Sequence, residues 1–130
     1  MNIRRIKETC IYVTDLAATK SFYAGKLGLP LISMVTDRHV FFRAGESVLL
    51  CFIADATEKE TELPPHGARG ATHFAFETDS DAYNEALQQI DAEGIMITHR
   101  HLWKNGLRSF YFNDPDGNLV EIIEEGLWDR

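Results

Sequence analysis

Residues 109–121, SFYFNDPDGNLVE, read as two strands joined by one tight turn. Asp114 suits the first turn position and Pro115 supplies the fixed φ of the second, while Gly117 tolerates positive φ at the fourth. The same pairing of an aromatic strand with an apolar one occurs earlier, at Phe41-Phe42 and Val48-Leu49-Leu50. Further landmarks repeat with it: Glu8 matches His73, Gly28 matches Gly94, Phe41-Phe42 matches Tyr111-Phe112, and Leu50 matches Glu121, at separations of 65 to 71 residues. An internal duplication accounts for this spacing; its rival is an unrelated series of strands and helices that happens to alternate.

Outward from the turn, alternating or apolar runs predict strands over Thr9 to Val13, His39 to Arg43, Ser47 to Ile53, Thr72 to Thr78, Ile95 to Arg100, Ser109 to Asn113 and Leu119 to Ile123, with a shorter one at Leu31 to Val35. Two helices interrupt them. Asp15 caps the first, which carries Leu16, Tyr23 and Leu27 with Phe22 beside them and stops at Gly28. Asp79 or Ser80 caps the second, in which Tyr83, Ala86, Leu87 and Ile90 recur at helical spacing before Gly94. The polar stretch 54–70, ADATEKETELPPHGARG, reads as a link, since Pro64-Pro65 does not fit a central strand. A single domain over 1–130 then contains module 1 at about 1–56, a link at about 57–69 and module 2 at about 70–130.

Composition bounds the partners. A chain of 130 residues, 45% hydrophobic and 25% charged, has enough apolar mass for one core and is not a disordered or disulfide-scaffold sequence. Thirteen Lys and Arg against twenty Asp and Glu give a net charge of −7, the wrong sign overall for nucleic acid or an anionic membrane. With no spanning apolar run and no signal-peptide pattern after Met1, a cytoplasmic address is expected. Cys10 and Cys51 lie apart in strand-like runs, which points to buried free thiols rather than a bridge.

Strand parity selects the candidate chemistry. His73, Ala75 and Glu77 share one face, and Phe74 and Phe76 face the helices. Glu121 sits between apolar neighbours, so its carboxylate faces water or needs a buried partner; Glu8 poses the same question. Singly, Glu8 reads first as a solvent-side strand residue and His73 as a hydrogen-bonded core histidine. As a set, with the repeats facing each other, one imidazole and two carboxylates converge as ligands for one divalent ion of the zinc, nickel, manganese or iron type, with positions left open for substrate. Arg108, Arg100 and Arg43 are candidates for an anionic substrate group, against plain solvation. His66, Arg69, His101 and Trp103 can line a cleft or simply decorate loops, and His99 with His101 has chelating spacing without a third partner.

The stretches 8–29 (ETCIYVTDLAATKSFYAGKLGL), 70–76 (GATHFAF) and 109–121 resemble the vicinal oxygen chelate superfamily, which includes glyoxalase I, ring-cleaving dioxygenases, fosfomycin-modifying thiol transferases and bleomycin-binding proteins. The resemblance implies an α+β fold of two tandem βαβββ modules forming an incomplete barrel around a metal, commonly completed in a homodimer. It places the ligands at Glu8, His73 and Glu121. It also gives Tyr111 a substrate-bonding counterpart in the fosfomycin enzymes. Departures are Leu50, where glyoxalase I usually has a fourth ligand, Glu8 in place of a histidine in the dioxygenase and fosfomycin patterns, and Cys10 where the latter tend to have Thr. The implied function is a metal-dependent, glyoxalase-like lyase or isomerase acting on a small molecule with vicinal oxygens. Glu8 would serve as both ligand and general base, Tyr111 in catalysis, and Arg108 and Trp103 in substrate binding. An extradiol-type dioxygenase, a fosfomycin-type thiol transferase and a ligand-sequestering protein are the alternatives.

Overall fold

A strand with one apolar face cannot stand alone, and each half of this chain answers that with a four-stranded sheet backed by one helix. The computed structural model describes residues 1–129, in two compact units, Met1–Gly70 and the described residues from Ala71 onward. The first contains β1 (Glu8–Tyr12), α1 (Leu16–Lys20), β2 (Leu31–Val35), β3 (His39–Ala44), β4 (Ser47–Phe52) and α2 (Ala54–Thr57). The second contains β5 (His73–Thr78), α3 (Tyr83–Ala92), β6 (His99–Leu102), β7 (Arg108–Asn113) and β8 (Leu119–Glu124). Strand orders are β1-β4-β3-β2 and β5-β8-β7-β6, with the first and last strands of each unit parallel and the remaining pairs antiparallel. Each unit is therefore a βαβββ module within an α+β fold, and neither sheet closes on itself.

The registers coincide. Glu8 pairs with Val48 as His73 pairs with Leu119, and Phe41 pairs with Leu50 as Tyr111 pairs with Glu121. The duplication is thus carried residue by residue in the ladders. In the first unit Ile11, Val40, Phe42, Leu49 and Cys51 are buried toward the helix side; in the second Phe110, Phe112, Val120 and Ile122 are. Tyr83, from α3, meets Phe110 edge-on at 5.4 Å between centroids.

The first helix starts as its cap predicts, with Asp15 accepting from the Ala18 amide at 3.0 Å. It then widens into a π-helical segment over Ser21–Lys26, closed by Leu27 N–H on the Phe22 carbonyl. The extra residue per turn lets the consecutive Phe22 and Tyr23 both turn inward, T-shaped at 5.1 Å. Downstream of α3, Gly94 at φ +71° and the Ile95 amide bonding back to Ile90 finish the helix. Helix termination takes up Gly94 and Ile95, and β6 runs His99–Leu102 rather than from Ile95. The stretch read as a link also folds: α2 forms, the His66 amide bonds to Thr57, and Arg69 pairs with Asp55 and Glu58. Cys51 is buried as expected, but Cys10 is exposed, because it shares the non-helix face with Glu8. No helix among the described residues is long and apolar enough to cross a membrane.

The 114–118 turn does more than reverse the chain. Asp114 Oδ1 accepts from the amides of Asp116 and Asn118 at 3.0 and 2.8 Å, and Oδ2 accepts from Asn118 Nδ2 at 2.9 Å. Gly117, at φ +82°, bonds back to the Asp114 carbonyl. Asn118 Oδ1, fully buried, then accepts from both the amide and the hydroxyl of Thr72, at 2.9 and 3.0 Å, which clamps the start of β5 to the turn. Asn118→Ala removes the acceptor of both Thr72 donors and one donor to Asp114, and should lower stability by about 2–3 kcal/mol, read as a lower urea midpoint at unchanged m-value.

His39 gives the first unit a pH dependence. Arg38 Nη1 donates to His39 Nδ1 at 2.5 Å, which leaves Nε2 as the protonated nitrogen, donating to Ser33 Oγ at 3.0 Å. Burial, then the Arg38 charge, hold the imidazole below its ordinary value. The stability of the neutral ring is complete above the unfolded value near about 6.5 and is lost as pH falls through it toward the lowered folded value. His39→Asn should flatten the decline of the urea midpoint between about pH 6.5 and 5; an unchanged slope would assign that decline elsewhere.

Candidate functional site

The non-helix face of the second sheet carries the polar residues. β5 contributes His73, Ala75 and Glu77; β8 contributes Leu119, Glu121 and Ile123; β7 contributes Ser109, Tyr111 and Asn113; and β6 contributes His99 and His101. Ala75, Glu121, Tyr111 and His99 form one row across the four strands. Opposite Glu121 the small Ala75 leaves room, and His73, two residues back on the same strand, fills it: His73 Nε2 lies 3.2 Å from Glu121 Oε2.

The imidazole orientation follows from the strand pairing. His73 Nδ1 stands 3.0 Å from the Leu119 carbonyl, which can only accept, so Nδ1 carries a hydrogen and Nε2 is the nitrogen turned toward the carboxylate. The Asn118 clamp holds both ends of this contact, since Leu119 N–H bonds to the Thr72 carbonyl at 2.8 Å. His73 is half exposed, whereas the Glu121 side chain is only 8% exposed. Glu121 Oε1 is buried and has no hydrogen-bond partner among the described residues. A carboxylate oxygen in that condition is expensive to hold and calls for a compensating charge.

Tyr111 borders the pair, its ring 6.2 Å from that of His73. Burial first, and then the Glu121 carboxylate as acceptor and as charge, push its phenol up to about 12, against a smaller opposing effect of Ser109. The hydroxyl is therefore a donor, not a base, at neutral pH. Trp103 reaches the same face from beyond β6: its indole N–H donates to Ser109 Oγ at 2.8 Å and its ring meets His101 edge-on at 4.5 Å. His99 lies between, 5.6 Å from Tyr111. Sequence reading did not join Ser109, His99 and His101 to this face, although strand parity with Tyr111 is the signal that would have done so.

Other expected site residues lie elsewhere. Arg108 is on the helix face of β7, three residues from Tyr111 and so of opposite parity. Its guanidinium binds Glu124 at 2.6 and 3.1 Å, reaches Asn84, and lies over the Tyr83 ring at 4.3 Å. It fastens α3 to the sheet, and its donors are committed to that. Glu8 is exposed at the His73-equivalent register of the first sheet, beside Cys10, whose thiol is pushed up by burial and then by the Glu8 charge. Leu50 occupies the Glu121-equivalent position, packed between Cys10 and Phe41 in the ladder. Toward Tyr12 that face is aromatic: Phe41 stacks on His39 at 3.9 Å, and Tyr12 hydrogen bonds through its hydroxyl to His66 Nδ1 at 2.7 Å. Of the three expected ligands, then, the structure brings His73 and Glu121 into contact, and among the described residues no group of three or more His, Cys, Asp or Glu side chains is arranged to hold a metal ion.

Comparison with known proteins agrees with this layout. The chain is similar over 100% of its length, and 100% of the other's, to a lactoylglutathione lyase from Agrobacterium tumefaciens, at 34% identity and a TM-score of 0.93. It is 26% identical to the glutathione transferase FosA of Serratia marcescens, over 92% of this chain and 80% of that protein. It is 30% identical to a catechol-2,3-dioxygenase of Bacillus subtilis, over 91% of this chain but 41% of the dioxygenase. The sequence profile of the Glyoxalase/Bleomycin resistance protein/Dioxygenase superfamily matches residues 5–122, nearly the whole of both βαβββ modules, and the chain belongs to that superfamily.

Proposed function

We propose that this protein is a metal-dependent, glyoxalase-like lyase or isomerase acting on a small substrate with neighbouring oxygens. The observation that carries the reading is the Glu121 carboxylate, buried, against His73 Nε2 through one oxygen and unpartnered at the other. An imidazole lone pair beside a desolvated carboxylate is a donor set that suits zinc, nickel, manganese or iron(II). Full-length similarity to a lactoylglutathione lyase supports the reaction class.

In this reading His73 and Glu121 hold the ion, and Glu8 supplies the third ligand from its own chain or from a partner in a homodimer. A divalent ion bound there would polarise the substrate oxygens and neutralise developing enolate or alkoxide charge. Glu8 takes a proton from the substrate carbon as general base. Tyr111, protonated well beyond neutral pH, donates to a substrate oxygen. Trp103, braced by Ser109, borders the substrate and limits water access. Arg108 has no part in it. A second reading, thiol transfer to a phosphonate, is favoured by the Tyr111 phenol on an SFYF strand beside the carboxylate and by the FosA similarity.

Elemental analysis after loading with zinc, nickel, manganese or iron(II) should find one ion per chain. Removing a direct ligand by His73→Ala or Glu121→Ala should weaken binding by more than the roughly 10–100-fold that outer-shell partners cost. Turnover of a hemithioacetal, against fosfomycin with a thiol and against oxygen uptake with a catechol, separates the reaction classes. Absence of stoichiometric metal under all four loadings would leave a ligand-binding protein instead.

Glu8→Gln should keep metal while abolishing hemithioacetal turnover, because the amide can still ligate but takes no proton. Unchanged turnover would remove Glu8 from the chemistry. For Tyr111→Phe, loss of one donor to a charged oxygen should lower kcat by about 10- to 100-fold at similar metal content.

A further inference from the structure

One surface of this acidic chain has the opposite sign. A cleft of about 570 Å³ in the first unit is lined by Arg4, Arg5, Lys7, Arg43 and Glu46. Glu46 is the sole carboxylate among them, and Arg5 already pairs with it. Lys7 Nζ donates to the Glu46 backbone carbonyl, and the Val48 amide bonds to the Lys7 carbonyl at 3.0 Å, so the run preceding β1 is fastened along the start of β4. The guanidinium groups of Arg4 and Arg43 have no hydrogen-bond or ion-pair partner among the described residues. Three uncompensated positive charges therefore border one cleft in a chain of net charge −7. Clustered cations repel one another, and the free arrangement gains most from an anion that engages several at once.

We propose that this cleft binds the phosphoryl or phosphonyl group of a small molecule. Guanidinium forks match the oxygens of such a group bidentately, and the volume lies within the range of small-ligand sites, well above that of one simple ion. A single cleft of four cations amid an acidic surface is too small for a nucleic-acid backbone, which needs a continuous basic track. The location adds a consequence. Arg43, Val48 and Glu8 form one register row across β3, β4 and β1, so Arg43 shares the Glu8 face. In so far as Glu8 acts as the general base, a point that rests on the function proposed above, the cleft would hold the charged end of that same substrate.

The test is isothermal titration of metal-free protein with inorganic pyrophosphate and with methylphosphonate, at fixed ionic strength. Saturable binding is expected, tighter for pyrophosphate. Arg4→Gln with Arg43→Gln should weaken it by about tenfold or more, as loss of charge-assisted hydrogen bonds implies. Glu46→Gln, which removes the competing carboxylate and frees Arg5, should tighten it, a gain that general loss of structure does not produce. His73→Ala should leave it unchanged. No saturable binding, or binding indifferent to the arginine pair and to Glu46→Gln, would overturn the proposal. Since metal is absent throughout, failure of metal loading bears on the proposed reaction alone, and failure of anion binding on the cleft alone.

Discussion

A carboxylate held out of water with one oxygen unpaired is a standing cost, and the second unit is built around it. Glu121 lies in the middle of a strand whose neighbours are all apolar, so it reaches a polar partner only across the face of the sheet. That partner is His73, and its position is set at one remove: Asn118 grips Thr72, the adjacent carbonyl of Leu119 fixes the ring nitrogen, and the second nitrogen is left to face the carboxylate. The turn that looks like a chain reversal is therefore the fixture for the site. Strand elements, not loops, carry these groups, which holds their geometry.

The two units solve the same packing problem and diverge on one face. Their helix sides are interchangeable in kind, with Ile, Val, Leu and Phe beneath a helix, because burial there depends on volume and not on chemistry. On the other face, equivalent ladder positions hold Leu50 and Glu121, Phe41 and Tyr111, Glu8 and His73. The first two exchanges add polarity at similar shape, and the third sets an imidazole where the other unit has a carboxylate. One unit becomes an aromatic floor with a basic cleft at its rim, and the other a desolvated acid with an imidazole and a phenol. Duplication followed by such substitutions leaves the fold stable while its two faces acquire different chemistry.

Ionic interactions here divide by burial. The Arg108 pair with Glu124 combines a nearly inaccessible carboxylate with three donors and a tyrosine ring beneath the guanidinium, so it is fully compensated and structural. The Arg69 contacts with Asp55 and Glu58 are open to solvent and contribute little energy, yet they set the path of the segment that carries His66 back onto Tyr12 and Phe52. Glu121 differs from both in being buried with one oxygen unpartnered among the described residues.

Local patterns were legible in the amino-acid order alone: alternation marked seven of the eight strands to within a residue or two, Asp15 and Gly28 bracketed the first helix, Asp114 to Gly117 marked the hairpin, and the 65- to 71-residue spacing exposed the repeat. These succeed because dihedral preference and single-face burial act over a few residues. Elements that depend on distant partners were not legible. The widening of the first helix, the folding of 54–70 onto its own unit and the start of β6 at His99 follow from contacts with other strands. Residue types named the candidate donors, and parity alone would have set Arg108 apart from Tyr111. That His73 Nε2 and Glu121 Oε2 lie 3.2 Å apart, with an oxygen left over, was decided only when β5 and β8 paired in parallel, since the 47 residues of intervening chain carry no local record of which strands will meet.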